Sequence, residues 1–196
     1  MTTQRTVGIL VFPDVEVLDF CGPFEVFSVA GPGMEPRPFT VRLIATEPGP
    51  IRAVNGLSVN PDYTMDTAPQ PEILLVPGGI GTRPLLDRPD VLAYVGATAA
   101  KAELVLSVCT GSLVLAKAGL LEGLSATTHW LAYDLLESIA PNTTVKRDQR
   151  VVDNGRIVCS AGVSAGIDMS FHILSRLIGD EAARKTAHYI EWPYGA

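Results

Sequence analysis

Short apolar runs alternate along this chain with longer segments of helical character. Residues 6–12 and 72–76 are such runs, and so is Leu104–Val108; unbroken apolar runs of this length mark strands covered on both faces. Phe39–Ala45 reads as a further strand. Residues 51–60 read as a short hairpin turning at Asn55-Gly56, a strong hairpin dipeptide. Residues 62–71 read as connection. Pro23 suits the first turn of a helix reaching about Ala30. Residues 90–100 and 130–139 are also expected to be helical. The segment 145–160 reads as two strands around Asn154-Gly155. Residues 162–168 open a long apolar helix that ends at Gly179, and Asp180 is expected to cap a last helix reaching about Tyr189. Strands alternating with helices predict an α/β fold, a mostly parallel sheet with helices on both faces.

Composition narrows the possibilities. A length of 196 residues suits one domain, 1–196, with a real core. Apolar residues at 47% and charged residues at 18% describe a globular chain. The net charge of −6 and the lack of any Lys/Arg run speak against a nucleic-acid surface. Residues 1–5 are polar and lead straight into a strand, so no signal peptide is expected. No apolar run reaches the roughly 20 residues that span a bilayer. A soluble, cytoplasmic protein without membrane contact is expected. Cys21, Cys109 and Cys159 are odd in number and far apart, which disfavours a disulfide framework or a structural zinc site. His129, His172 and His188 lack metal-ligand spacing, so no metal site is expected.

One stretch carries candidate chemistry. The strand Leu104–Val108 runs directly into a helix through Cys109-Thr110-Gly111. A side chain at such a bend stands at the carboxyl edge of the sheet, where α/β folds place ligands. The bend is like a nucleophile elbow, although Gly-x-Ser-x-Gly itself is absent. Free amides and the dipole of the following helix favour thiolate over thiol at Cys109. Pro77-Gly78-Gly79-Ile80-Gly81 ends another strand; its backbone could approach a ligand closely as an oxyanion site, or serve as a tight turn. It lacks the Gly-Lys-Ser/Thr ending of a phosphate loop. Asp19, between Leu18 and Phe20, is expected in the loop before the first helix. It is either a solvated loop charge, the reading its own segment favours, or a desolvated acid with a raised pKa. His129 follows Cys109 by 20 residues at a helix start. It either lies near the sulfur or bonds a neighbour in the helix cap. Cys159 reads as an inert core thiol, and Cys21 as close enough to Asp19 to reach a pocket.

Five landmarks stand in order: Leu18-Asp19-Phe20-Cys21-Gly22-Pro23, Pro77-Gly78-Gly79, Ser107-Val108-Cys109-Thr110-Gly111, Thr127-Thr128-His129-Trp130 and the segment from Ala161 to Asp168. Together they resemble the DJ-1/PfpI superfamily over nearly the whole chain. The resemblance implies a class I glutamine-amidotransferase-like fold, a flavodoxin-like three-layer sandwich. Within it the chain looks most like the isonitrile hydratase branch, and also like the amidase-like domain of AraC-type regulators. At this length the chain is expected to lack the two helix-turn-helix units of those regulators, which would favour an enzyme. The PfpI-type proteases carry His after the nucleophile, whereas Thr110 stands here. The DJ-1 branch carries Glu where Asp19 stands, and the shorter acid draws the carboxylate back by roughly 1.5 Å.

The resemblance implies roles. Cys109 would attack the terminal carbon of an isonitrile to form a thioimidate, and Asp19 would give and take the protons. Backbone amides of the Gly78-Gly79-Ile80 turn and of Thr110 would hold developing negative charge. The Thr110 hydroxyl would position water or substrate, and His129 would lie nearby. The product is an N-substituted formamide, with a small-molecule substrate, no cofactor and a homodimer implied. A redox or electrophile sensor, or a ligand-binding domain like that of the regulators, is the alternative that needs the same elbow.

Overall fold

In a computed structural model describing residues 4–194, the strands are β1 (Arg5–Val11), β2 (Phe39–Ala45), β3 (Ile51–Arg52), β4 (Ser58–Val59), β5 (Tyr63–Thr64), β6 (Ile73–Val76), β7 (Leu104–Val108), β8 (Ser125–Ala126), β9 (Thr144–Val145), β10 (Val151–Asp153) and β11 (Ile157–Ser160). The helices are α1 (Val17–Ser28), α2 (Thr82–Leu85), α3 (Pro89–Lys101), α4 (Gly111–Lys117), α5 (Tyr133–Ile139), α6 (Ala165–Ile178) and α7 (Asp180–Tyr189).

Seven strands form one sheet in the order β10-β11-β7-β6-β1-β2-β5. All neighbours are parallel except β10 against β11. The helices fall into two groups, α1 with α6 and α7, and α2, α3 and α5 around α4. They cover the two faces, so the expected three-layer α/β sandwich is what the chain forms. The central strands read apolar throughout because neither face meets water: Ile9, Leu10, Leu74, Leu75, Val105 and Leu106 are fully buried. Each such side chain contributes about 1.5–3 kcal/mol by leaving water.

Chain order sets where chemistry can occur. From β1 the sheet grows outward through β2 in one direction and through β6 in the other. The carboxyl ends of β1 and β6 therefore diverge at a topological switch point, and β7 lies next to β6. The segments leaving these three strands carry Asp19, Gly78 and Cys109.

Several expectations need correction. Asp19 is not in a loop: α1 begins at Val17, and Pro23 lies inside the helix instead of at its first turn. Burial of Phe20, Val26 and Phe27 on one face outweighs the hydrogen bond lost at Pro23. Gly22 lets α1 approach α6, since a Cβ there would stand 2.8 Å from Ile167 Cγ1. Asp180 does not cap α7; Gly179 precedes it with φ 91°, and Asp180 pairs with Arg184 one turn along. Residues 130–132 form a 3-10 turn before α5. The two-residue strand β5 lies in a segment read as connection. The 51–60 hairpin is present as β3–β4, with Asn55 at φ 62° and Gly56 at φ 88°.

Candidate active site

The bend after β7 is built from close contacts. Gly111 opens α4 so near to the end of β6 that a Cβ would fall 2.0 Å from the Val76 carbonyl oxygen. Cys109 takes φ 55°, a left-handed conformation uncommon for a residue with a side chain. Its surroundings hold it there. The Cys109 amide donates to the carbonyls of Ser160 (3.2 Å) and Ala161 (3.1 Å). Its own carbonyl accepts from the hydroxyls of Thr128 (2.9 Å) and Ser112 (3.1 Å). Strain of this kind persists only where the fold over-determines it.

Asp19 is fully buried, against the reading favoured by its segment alone. One carboxylate oxygen, Oδ2, accepts the Gly78 amide at 2.9 Å. The other, Oδ1, has no hydrogen bond of ordinary geometry among the described residues. It belongs to a carboxyl that the Cys109 thiol and the Val163 amide both face. Burial raises the Asp19 pKa from an ordinary 3.8 to about 7, opposed by the Gly78 amide.

Cys109 is 5% exposed. Burial first, then the Asp19 charge, pushes its thiol up to about 12, against the pull of the Thr110 and Val163 amides. The expected thiolate is thus corrected: the resting group is a thiol. Desolvation outweighs a helix of only seven residues.

The glycine turn also differs from expectation. The Gly78 amide is spent on Asp19, and the Gly79 amide donates to Thr110 Oγ1 at 3.0 Å. Neither is a free donor in this structure. Thr110 Oγ1 donates in return to the Gly79 carbonyl at 3.1 Å and lies 3.1 Å from Thr82 Oγ1. The Thr110 side chain locks the turn instead of facing solvent. Ile80 is 63% exposed at its tip. Removing the lock with Thr110→Val should cost about 1–2 kcal/mol by orphaning the Gly79 amide. Thermal unfolding reads this, and Thr110→Ser should recover most of the loss.

His129 caps the 3-10 turn, its Nδ1 accepting from the Leu131 amide at 3.3 Å. Its ring lies so close to Gly162 that a Cβ there would come within 2.3 Å of Cδ2. It therefore buttresses the loop after β11 and bonds a neighbour in its own cap. Cys159 is fully buried, and burial raises its thiol to about 11. Cys21 is half-buried. No group of His, Cys, Asp and Glu among the described residues could hold a metal ion. None of the described helices is long and apolar enough to cross a membrane.

Sequence reasoning missed Val163. Its amide favours the charged forms of both Cys109 and Asp19, and its φ is 51°. Its signal lay in the small-residue run from Ala161 to Gly166, which allows close backbone approach but does not say to what. Thr82, Thr128 and Glu16 were missed as well. The Glu16 charge adds to the upward shift at Asp19.

A model of the DJ-1/PfpI family matches residues 5–176. The isonitrile hydratase of Pseudomonas putida is 36% identical over 186 residues, covering 95% of this chain and 78% of that protein. The HTH-type transcriptional regulator CdhR of Pseudomonas aeruginosa is 30% identical over 175 residues, covering 89% of this chain. The chain spans about half the length of that regulator, 51%. Among solved structures, a ThiJ/PfpI family protein from Pseudomonas syringae has a TM-score of 0.88 at 28% identity. That likeness covers 100% of this chain and 78% of that one.

Proposed function

The chain belongs to the DJ-1/PfpI family, and we propose that it is a cysteine-dependent isonitrile hydratase. The observation that carries this reading is a buried carboxyl, half unsatisfied, poised near neutral pKa against a recessed thiol. The P. putida relative named for this activity supports it.

Access at the sulfur fits the substrate class. With Cys109 5% exposed, a peptide carbonyl flanked by chain on both sides could not reach it. An isonitrile, R–N≡C, is linear and presents its electrophilic carbon at the tip. It needs only a narrow approach.

The steps balance without an added reactant other than water. Asp19 takes the thiol proton as sulfur bonds the terminal carbon, then delivers that proton to the same carbon. The result is the thioimidate R–N=CH–S–Cys109. Asp19 next takes a proton from water as its oxygen adds to the carbon. Asp19 gives that proton to the nitrogen, and as the C–S bond breaks the remaining hydroxyl proton passes to the sulfur, so that R–NH–CHO leaves with the thiol restored. One acid that gives and takes a proton works best with a pKa near the working pH. The amides of Thr110 and Val163 favour the thiolate and would hold charge that develops on the sulfur.

A homodimer belongs to this reading. Leu18, Ile80, Trp130 and Leu131 are large exposed apolar side chains, each next or second in sequence to a residue of the site, and a second copy would cover them. The protein should be cytoplasmic, where simple isonitriles enter by diffusion.

The test is incubation with cyclohexyl isonitrile and chromatographic detection of N-cyclohexylformamide. Catalytic turnover above the uncatalysed rate is expected. A folded protein that yields none, with that isonitrile and an aryl one, overturns the reading.

A further inference from the structure

The fifth sequence landmark ends at Asp168, which the chemistry above does not use. Arg150 stands one residue before β10. Val151 pairs with Ser160, and the Ala161 amide donates to the Arg150 carbonyl at 2.8 Å. The Arg150 side chain then reaches past Val163 to the start of α6. Nε donates to Asp168 Oδ2 at 2.8 Å, Nη2 donates to the same oxygen, and Nη2 also donates to Ser164 Oγ at 3.3 Å. On the far side Trp192 Nε1 donates to Asp168 Oδ1 at 3.3 Å. One residue thus grips the chain at 161 through its backbone and at 164 and 168 through its guanidinium.

Val163 lies between these grips. It is β-branched, and its φ of 51° is a conformation such residues rarely occupy. Left free, the loop would relax toward a commoner conformation and turn the Val163 amide away. That amide is worth holding because the Gly78 and Gly79 amides are already engaged.

We infer that Arg150 is a positioning residue, clamping the loop on both sides of Val163 so that the Ala161 carbonyl, which accepts the Cys109 amide at 3.1 Å, holds Cys109 in its strained conformation against Asp19. Two guanidinium N–H groups converging on one oxygen of Asp168, with a third bond to Ser164 Oγ, suit this because the planar fork fixes direction as well as distance. The inference rests on the proposed use of Cys109 as nucleophile.

The effect is read on the sulfur itself, independently of isonitrile turnover. Alkylation of Cys109 by iodoacetamide is followed against pH by peptide mass spectrometry, which separates it from the half-buried Cys21. Ionised Asp19 can take the thiol proton as the sulfur attacks, so alkylation should show a first rise near pH 7, where Asp19 becomes available as that base. Loosening the loop that holds Cys109 against Asp19 removes donors, the Cys109 thiol and the Val163 amide, that favour the charged form of Asp19. Arg150→Ala should move the midpoint up by about one pH unit, the size of one hydrogen bond to a charged group. The kcat for isonitrile should fall about tenfold with KM little changed.

Asp168→Asn separates positioning from simple charge. The other charged and titratable groups around the pair are Glu16 ahead of α1, Arg83 bonded to Thr82 Oγ1, and His129 against Gly162. Neither substitution alters them. A loosened clamp moves the Asp168→Asn midpoint up, as in Arg150→Ala. A field effect moves it down, because removing an anion favours negative charge nearby. Arg147→Ala, which breaks a surface cluster with Asp134 and Glu137, should leave the midpoint in place. Upward shifts in both clamp variants support the inference. A downward shift in Asp168→Asn, or an unmoved midpoint in the clamp variants, overturns it. If Arg150→Ala does not fold, Asp168→Asn decides alone. Wild type that alkylates normally yet makes no formamide sinks the hydratase reading without touching this one.

Discussion

Cys109→Ser should fold as the wild type does and lose formamide production by about 10⁴-fold or more, the scale on which removal of a covalent nucleophile acts. The serine hydroxyl can occupy the thiol's place against Asp19, so stability should change by no more than about 1 kcal/mol. Its proton is held far more tightly than a thiol's, and oxygen is the poorer nucleophile toward isonitrile carbon. Product formation under saturating isonitrile, with circular dichroism for the fold, checks both halves. Retained turnover would show that the carbon is attacked by something other than the sulfur.

The protonated state of Cys109 bears on the competing functions. Redox-sensing cysteines are exposed and ionised, because peroxide attacks thiolate. Here burial holds the sulfur as a thiol. Such a group reacts when a neighbour takes its proton at the moment of attack. Part of what holds that proton is the Asp19 charge, and this part vanishes as the proton crosses. The arrangement suits a turnover cycle better than standing reactivity. Brief treatment with mild peroxide should therefore leave most of Cys109 unoxidised, as peptide mass spectrometry would read. A ligand-binding role has no need of a buried Asp19 carboxyl with Oδ1 left unpaired.

The layers of the fold were legible because the central strands are buried on both faces and so carry no polar alternation. Leu104–Val108 coincides with its apolar run, and Phe39–Ala45 with the strand read there despite its exposed Arg42. The bend at Cys109 was legible because a strand meets a helix with only Cys109-Thr110 between them. What failed was local. Asp19 looked solvated because its immediate neighbours cannot show that α1 starts at Val17 and packs under the Gly78 turn. The glycine turn looked like a free amide cradle, because sequence does not reveal that the Thr110 and Asp19 side chains fill it. Val163 and Arg150 could not be found from spacing at all. Their link to Cys109 runs across β10 and β11, whose register only the folded chain displays. The ionisation of Cys109 was misjudged for a related reason: helix dipoles can be read from sequence order, and desolvation cannot.

Asp19→Asn should separate activity from stability in opposite directions. Asp19 must be ionised to take the thiol proton, so wild-type kcat/KM should rise with pH through about 7. The asparagine variant should lose about 10²–10⁴-fold in rate and show no such rise. Stability follows from the same shift. The folded pKa lies above the unfolded one, so the folded state binds more protons between about pH 4 and 7. Asp19 thus contributes stability below pH 4, and that contribution is lost as pH rises through 7. The loss is roughly 2–4 kcal/mol for a fully buried carboxyl moved from 3.8 to about 7. Asparagine carries no charge to desolvate, and its carbonyl oxygen can keep the Gly78 amide. Its NH₂ group would meet the Val163 amide donor to donor, which trims the gain. The variant should therefore unfold at higher temperature than wild type at pH 8 and lack the component of wild-type pH dependence between 4 and 7. Thermal denaturation of both proteins across that range checks it. Equal slopes would mean that Asp19 titrates in the folded chain as an ordinary carboxylate, and the proton-shuttling role would fall with that result.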